Sequence, residues 1–267
     1  EAPSPIAGLG AFYDLQNVQV LVGPQGTLFG LNAVGGAVLR EPKRPTNEFE
    51  GYIQGTYGSY NQREVEGAIN VPVVADKLMV RFAGDRQVRD GFTKRLNSDE
   101  KQDNRNYTAV RGAVTVKPWD GIENYFVYDY RYSSTNGSSY FLKNVKPSGS
   151  GAFAALVFGL PTIQAEIAQQ EALGRFTNIP LTLPDQFHRN RTSIMVDTLT
   201  VELSDQFTFK NIASRGSVAN VENHDEDGSP LSLLDLVAPD GRMNPAQVTW
   251  TEEPQLQGRL LDGKLNM

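Results

Sequence analysis

One short segment has residue types and spacing that could bind a divalent cation. Asn223, Asp225 and Asp227 alternate with other residues and are followed by a glycine, as at the start of an EF-hand loop, whose oxygen ligands hold Ca²⁺. The twelfth position is Leu234, where an EF-hand has glutamate, and no helical pattern precedes the segment. We interpret it as an acidic surface loop, with a weak divalent site beside His224 as the alternative.

Histidines and paired carboxylates are the other groups that could act in catalysis or metal binding. His188 and His224 stand in long polar stretches of a chain without cysteine, so no zinc site is expected. We expect both to be exposed loop residues, with ligand contact as the alternative. Glu64 and Glu66 lie two residues apart and share one strand face, which we interpret as a water-facing wall. No nucleophile, base and oxyanion donor come together, so no enzyme, catalytic residue or cofactor is expected.

Glycine-rich segments near the N-terminus lack the spacing of a phosphate-binding loop. The stretch from Gly23 to Gly30 is not followed by the Gly-Lys-Ser/Thr of a P-loop, and Gly8 and Gly10 lack a third glycine and a helix. The net charge of 25 − 31 = −6 also argues against neutralisation of nucleic-acid phosphates. We therefore expect neither nucleotide nor nucleic acid as a partner.

The segments that must position these residues have the alternating pattern of β-strands. Apolar and polar residues alternate over about ten residues at a time, the length and period of membrane-barrel strands. The eight segments are Gly51–Gly58, Gln62–Val71, Lys77–Val88, Tyr107–Lys117, Ile122–Tyr132, Asp197–Ser204, Phe207–Arg215 and Gln255–Leu261. A row of aromatic residues in the fifth segment is expected to contact lipid, with a ligand platform as the alternative.

The connections between these strands alternate in length, except that the first, near Ser59–Asn61, is short although it falls on the long-loop side. Tight turns are expected at Pro72–Asp76, at Pro118–Gly121 and near Asp205. Long loops are expected at about 90–106, 134–195 and 217–253. Short turns at one end and long loops at the other are typical of an outer-membrane barrel. No single ligand-binding residue can be named from the sequence.

The longest connection carries a helical pattern of its own. Ile163 and Ile167 recur at helical spacing between Pro161 and Gly174, and proline and glycine are common at the start and just past the end of a helix. We expect a short helix over 161–173 that packs the loop against itself, with ligand contact as the alternative.

Hydropathy excludes a bundle of membrane helices. The mean hydropathy is −0.38, and the longest nearly uninterrupted apolar stretch, Gly151 to Leu160, is about half of the roughly 20 residues that a spanning helix needs. A barrel is compatible with these values because only alternate strand residues face lipid.

A glycine-rich segment near the N-terminus carries the most specific pattern in the chain. Residues 18–30 read VQVLVGPQGTLFG and residues 32–38 read NAVGGAV. This pattern closely resembles the second half of the plug domain of TonB-dependent outer-membrane receptors. Proline and glycine suit the tight turns of a plug inside a crowded lumen. The plug motif, expected to have a structural or gating role, comprises Gly23, Pro24, Gln25, Gly26, Gly30, Asn32, Gly35 and Gly36.

The resemblance continues through Lys43–Tyr52, which resembles the passage from plug to first barrel strand, and Tyr57–Arg63, which resembles the first barrel hairpin. It implies a mainly β fold: the C-terminal part of a plug domain over residues 1–46, then the incomplete N-terminal part of a transmembrane β-barrel over 47–267. Such plugged barrels have about 22 strands, which at 9–11 residues each need on the order of 200–240 residues of strand alone. The chain is therefore expected to be a fragment with about eight of these strands.

Two charges that the family usually carries in the plug are missing here. Gln19 stands where members usually have an acidic residue and Val22 where they have an arginine. In the family these charges are thought to hold the plug to the barrel wall, so whether this latch is kept here stays open. The N-terminal segment that binds the energising protein in this family is not in the chain.

The resemblance implies active uptake of a scarce ligand, with a ferric siderophore favoured, across the outer membrane of a Gram-negative bacterium. It also implies that the ligand is captured by the three long loops and the exposed plug apices. The implied partners are outer-membrane lipid, a TonB-type energising protein and the siderophore or another small ligand. Two alternatives stay open. A self-contained eight-stranded barrel would pair the segment near 51–58 with that near 255–261, and a soluble all-β glycan-binding module would bury its valine and tyrosine rows between two sheets.

Overall fold

The chain forms one large open antiparallel sheet, a separate two-stranded hairpin before it, and a small three-stranded sheet among its connections. The computed structural model describes residues 12–24, 35–146, 148, 150–178, 180–183, 185–231, 234–238, 242–260 and 265–266. No helix in these ranges is long and apolar enough to cross a membrane.

The elements follow one another as a meander. Along the chain they are β1 (Leu15–Val22), β2 (Gly36–Pro42), β3 (Glu50–Gly58), β4 (Gln62–Val74), β5 (Leu78–Arg89), β6 (Thr93–Arg95), β7 (Lys101–Gln102), β8 (Arg105–Val116), β9 (Ile122–Thr135), α1 (Ser150–Phe158), α2 (Leu160–Leu173), β10 (Thr177–Asn178), β11 (Phe187–Ser204), β12 (Phe207–Asp225), β13 (Asp235–Leu236), β14 (Asn244–Leu260) and β15 (Leu265–Asn266). The large sheet has the order β3-β4-β5-β8-β9-β11-β12-β14-β15, so the long strands neighbour each other in chain order.

All eight predicted strands are present, but the last three are much longer than predicted. β11, β12 and β14 have 18, 19 and 17 residues, and they include residues that we expected in the loops 134–195 and 217–253. The β11–β12 ladder continues to the pair Phe187 and Asn223. Backbone pairing with a neighbouring strand needs no apolar residues, so these polar extensions lack the alternating pattern that the prediction used.

The predicted helix and tight turns are confirmed. α2 (Leu160–Leu173) covers the predicted residues and is followed by Gly174 at φ +74°. The helix α1 was not predicted, because its sequence SGAFAALVF is apolar on every side and shows no helical period. At the first hairpin, Tyr60 and Asn61 both have positive φ, the conformation of a type I′ turn, whose twist matches that of the two strands.

The two faces of the large sheet differ in polarity. One face exposes apolar side chains, among them Ile53 at 81% and Phe82 at 58% exposure, and the ladders place the aromatic row of β9 on this face through Val110–Tyr130. The opposite face carries Glu64 and Glu66. A single sheet with one apolar exposed face is the expected wall of a membrane barrel.

Both structural alternatives fail on the sheet topology. Among the described strands β3 pairs only with β4, and no ladder joins it to β14, so the eight strands do not close on themselves. No second large sheet covers the apolar face in the described ranges, as a soluble sandwich would require. The sheet is therefore an open wall.

Candidate functional site

The N-terminal hairpin is docked on the polar face of the large sheet through Tyr13. This side chain, 2% exposed, packs against Ala68, Ala83 and Ala109, which belong to β4, β5 and β8. Three alanines in neighbouring strands leave a shallow depression that accepts the ring. Burial, more than any nearby charge, raises the pKa of Tyr13, so the phenol stays neutral.

Beside the ring, Asp14 and Arg81 form a buried two-pronged ion pair. Nε of Arg81 donates to Oδ2 of Asp14 (2.8 Å) and Nη2 donates to Oδ1 (2.5 Å), and both side chains are only 2% exposed. Nη1 of Arg81 also donates to Oε1 of Glu50 (3.2 Å). Two parallel hydrogen bonds between planar groups fix both distance and orientation. The pair therefore sets the position of the hairpin on the wall.

Arg111 makes the second polar contact between wall and hairpin. Its Nη1 donates to the backbone oxygens of Tyr13 (3.1 Å) and Asp14 (3.3 Å), and its Nε and Nη2 donate to Oδ2 of Asp129 (3.0 and 2.8 Å). The guanidinium also lies 4.5 Å from the centroid of the Tyr13 ring, within the range of a cation–π interaction. Arg111 thus ties the hairpin backbone to a carboxylate of the wall.

The segment between hairpin and sheet is also tied to the wall. Nη1 of Arg44 donates to Oε1 of Glu123 (3.2 Å), and its guanidinium lies over the ring of Tyr125 at 4.4 Å. The backbone N–H of Thr46 donates to Oδ1 of Asn70 (3.0 Å). The chain therefore passes from β2 to β3 along a fixed course.

The wall contacts described above are made by residues other than Gln19 and Val22. Gln19 and Val22 are both exposed, and the contacts described above come from residues on either side of the hairpin. In these contacts the acid, Asp14, directly precedes β1, and the two arginines lie on the wall. Sequence reasoning missed these residues because Asp14 is single, and its partners are 67 and 97 residues away.

The structure describes half of the plug motif. Gly23, Pro24, Gly35 and Gly36 are described, whereas Gln25, Gly26, Gly30 and Asn32 lie outside the described residues. Gly36 adopts φ +132°, and a Cβ there would lie 2.3 Å from the backbone oxygen of Leu21 on the paired strand. Gly36 therefore has a backbone position that only glycine can occupy. Whether the motif gates a channel stays a prediction.

The long connections meet around an apolar cavity at the end of the sheet away from the tight turns. β6 pairs with β10, which brings together two of the three regions expected to contact ligand. The cavity has a volume of about 480 Å³, and its lining includes Phe92, Phe141, Phe176, Lys143 and Arg175. The lining also includes Asp103 and Glu171, so charged groups of both signs accompany the aromatic rings, an arrangement that suits an aromatic ligand with polar groups.

The interpretation of 223–228 as an acidic surface loop is wrong for its first half, because Asn223–Asp225 belong to β12 and Asp225 is 0% exposed. Oδ1 of Asp225 accepts hydrogen bonds from the N–H groups of Asp227 (3.1 Å) and Gly228 (2.7 Å), and Oδ2 accepts from N and Oγ1 of Thr182 (3.2 and 3.0 Å). Oδ2 of Asp227 accepts from the N–H of Leu234 (2.9 Å). Among the described residues no group of acids and histidines is arranged to hold a metal ion, because the carboxylates already serve the backbone.

We expect Asp225→Ala to open the connection between β12 and β14 whether or not calcium is present. The change removes the acceptor of four hydrogen bonds, each worth roughly 0.5–3 kcal/mol. Limited proteolysis of the complete protein should show a new cleavage between residues 226 and 243, unchanged by Ca²⁺ or a chelator. Protection by Ca²⁺ in the unaltered protein would contradict the structural role.

The two histidines lie in strands, so the prediction that both are exposed loop residues is wrong. His224, near the end of β12, is 8% exposed, stacks on Tyr140 at 5.8 Å and has Nε2 2.9 Å from Oε1 of Glu226. His188 lies in β11, with Nδ1 3.5 Å from Oε2 of Glu222. Both histidines belong to the polar extensions of β11 and β12. They were expected in loops for the same reason that these two strands were predicted too short.

Proteins of known structure share this architecture, as the comparisons below show. No family model matches the chain. It is 35% identical over 115 residues to the pesticin receptor of Yersinia enterocolitica, which covers 41% of this chain and 17% of the receptor. The solved siderophore receptor PiuA of Acinetobacter baumannii matches 95% of the chain and 34% of its own length, at 16% identity and a TM-score of 0.62.

A second solved relative agrees with the first. The ferripyoverdine receptor of the outer membrane of Pseudomonas aeruginosa, solved bound to ferripyoverdine, matches 90% of the chain and 29% of its own length, at 15% identity and a TM-score of 0.60. The chain thus spans about a third or less of the proteins it matches. The described residues have the fold of the plug and barrel wall of TonB-dependent outer-membrane receptors, and the chain resembles a part of such a receptor.

Proposed function

We propose that the chain is part of an outer-membrane receptor that actively imports a scarce ligand, most specifically a ferric siderophore. The observation that carries the proposal is the docking of a small hairpin, through Asp14 and Arg81, on the polar face of a sheet whose other face is apolar. If the sheet is the wall of a barrel, its apolar face contacts lipid and its polar face lines the lumen. The hairpin docked on the polar face then lies in the lumen as part of a plug. Within it we assign residues 1–46 to the plug and 47–267 to the barrel; the two sheets separate between Pro42 and Glu50.

The contacts suit a plug that moves. Buried ion pairs are strongly directional, yet their net contribution is small because the charges regain hydration when they separate. A hairpin held by Asp14 and Arg111 can therefore shift when water replaces its partners. In the proposed cycle, a TonB-type protein pulls on a part of the plug that precedes this chain, and the hairpin leaves the wall to open a path.

The cavity at the long-loop end is the proposed place of ligand capture. Its phenylalanines supply apolar surface for an aromatic chelate, and Lys143 and Arg175, beside Asp103 and Glu171, supply charged groups that can pair with polar groups of the ligand. The receptors for siderophores and ferripyoverdine among the matched proteins support this class of ligand. The proposal extends the location, the outer membrane of a Gram-negative bacterium, from those relatives to this chain.

Uptake of radioactive iron tests the proposal. A strain that lacks the complete protein should lose uptake of at least one ferric siderophore, down to the level of de-energised cells, and the gene supplied in trans should restore it. The same loss is expected when the energising protein is deleted. Unchanged uptake of every siderophore that the parent strain uses, together with loss of another nutrient, would contradict the siderophore assignment.

A further inference from the structure

A second cavity lies in the polar face of the wall, beside the docked hairpin. It has a volume of about 350 Å³, and its lining includes Phe12 from the hairpin and Glu64, Glu66, Asp85 and Tyr107 from the wall. Its remaining lining reaches the ends of β8 and β9 that face the long loops. The cavity therefore lies on the inner wall between the plug hairpin and the outer end of the lumen.

Asp85 is the unusual group in this cavity. The residue is 5% exposed, and its Oδ2 accepts a hydrogen bond from Nε2 of Gln87 (2.8 Å). Its Oδ1 is buried and has no hydrogen-bond partner in the described part of the chain. A buried carboxylate oxygen without a donor is costly, by about 1–3 kcal/mol or more. Such an oxygen calls for a donor that the described residues do not supply.

Each of the two neighbouring carboxylates accepts a hydrogen bond from an uncharged donor. Glu64 accepts from the same Gln87 amide (3.2 Å), and Glu66 accepts from the hydroxyl of Tyr52 (2.5 Å). Arg105, on the rim, donates to the amide oxygen of Gln87 (3.1 Å). Three carboxylates and one guanidinium line the cavity, which leaves an excess of 3 − 1 = 2 negative charges.

The missing positive charge is best supplied by an organic cation from outside the chain. Residues 1–11 and 25–34, which flank the described parts of the hairpin, contain no lysine or arginine. A metal ion is disfavoured because no acidic group of the described residues is arranged to hold one. The rings of Phe12 and Tyr107 add π faces, which attract ammonium and guanidinium groups.

We propose that this cavity binds the ammonium or guanidinium group of an organic cation, which donates to Oδ1 of Asp85. The volume admits such a group with a short aliphatic stem. The inference rests on the proposed function in one respect, that ligand travels along this lumen; the imported chelate would then carry a positively charged arm. Binding of a simple cation can be measured without transport.

Calorimetric titration of the complete protein in detergent tests the site with two probes of nearly equal shape. Butylguanidinium should bind, and the neutral butylurea should not. Asp85→Asn keeps the shape and removes the charge, so it should weaken butylguanidinium binding at least about tenfold. Glu66→Gln should weaken it less. The matched control Glu100→Gln, an exposed acid outside the cavity, should leave binding unchanged.

Three results would overturn the inference: equal binding of the two probes, unchanged binding in Asp85→Asn, or no binding to the unaltered protein. The last result would mean that a cationic side chain of the complete protein already fills the cavity. The titration involves neither iron nor the energising partner. A negative titration would therefore not contradict the proposed siderophore uptake, and a negative uptake experiment would not contradict the proposed cation site.

Discussion

Asp14→Ala should release the N-terminal hairpin from the wall. The change leaves the guanidinium of Arg81, which is 2% exposed, without its principal partner, and breaking a buried ion pair in this way costs about 3–5 kcal/mol. The loss should concentrate in β1 and β2, because Tyr13 and the Arg111 contacts adjoin Asp14 directly. Amide hydrogen exchange of the complete protein should show faster exchange throughout the hairpin, with the sheet unchanged.

Two further variants test whether the effect of Asp14→Ala comes from the buried ion pair or from the loss of any charged contact between hairpin and wall. Glu123→Ala removes the partner of Arg44 from a pair whose side chains are 43% and 32% exposed, and exposed pairs contribute about 0–1 kcal/mol. It should barely change exchange in the hairpin. Asp14→Leu combined with Arg81→Met replaces both charges by apolar groups and should recover much of the loss. Equal exchange in Asp14→Ala and the unaltered protein would show that the ion pair does not hold the hairpin.

Gly36→Ala should disrupt the same hairpin from within. The φ of +132° costs an L-residue about 1–3 kcal/mol, and the new Cβ would lie 2.3 Å from the backbone oxygen of Leu21, closer than any Cβ can approach. Because that oxygen belongs to the paired strand, the strands must separate. We expect loss of protection in both strands and proteolysis between residues 15 and 42.

Gly35→Ala is the matched control, since it makes the same change one residue earlier. A Cβ at Gly35 meets nothing within 4 Å, and its φ lies outside the left-handed region. The variant should retain the protection of the hairpin. If both variants behaved alike, the glycine requirement at Gly36 would be contradicted, and the motif would owe its glycines to contacts outside the described residues.

Whether a feature could be predicted from the sequence depended on its physical origin. The strands up to Ile122–Thr135 could be predicted because one of their faces carries apolar side chains and the other polar ones, which gives a period of two in the sequence. The outer halves of β11 and β12 could not, since their sequences lack this alternation; in β12 both faces are buried there, with Val218, Ala219 and Val221 only 4%, 1% and 7% exposed. His188 and His224 were misplaced for that reason. The helix α2 was predictable from its proline, its glycine and its apolar spacing.

The sequence by itself determined that this is a mainly β chain with alternating short and long connections and a plug-like motif, because these features are written in local periodicity and turn residues. Only the tertiary structure decided that Asp14 meets Arg81 and Arg111, that Asp85 has a buried oxygen without a donor, and that the acidic loop serves its own backbone. Each of these depends on which strands are neighbours. Strand register brings together side chains dozens of residues apart, and no local pattern in the chain records it.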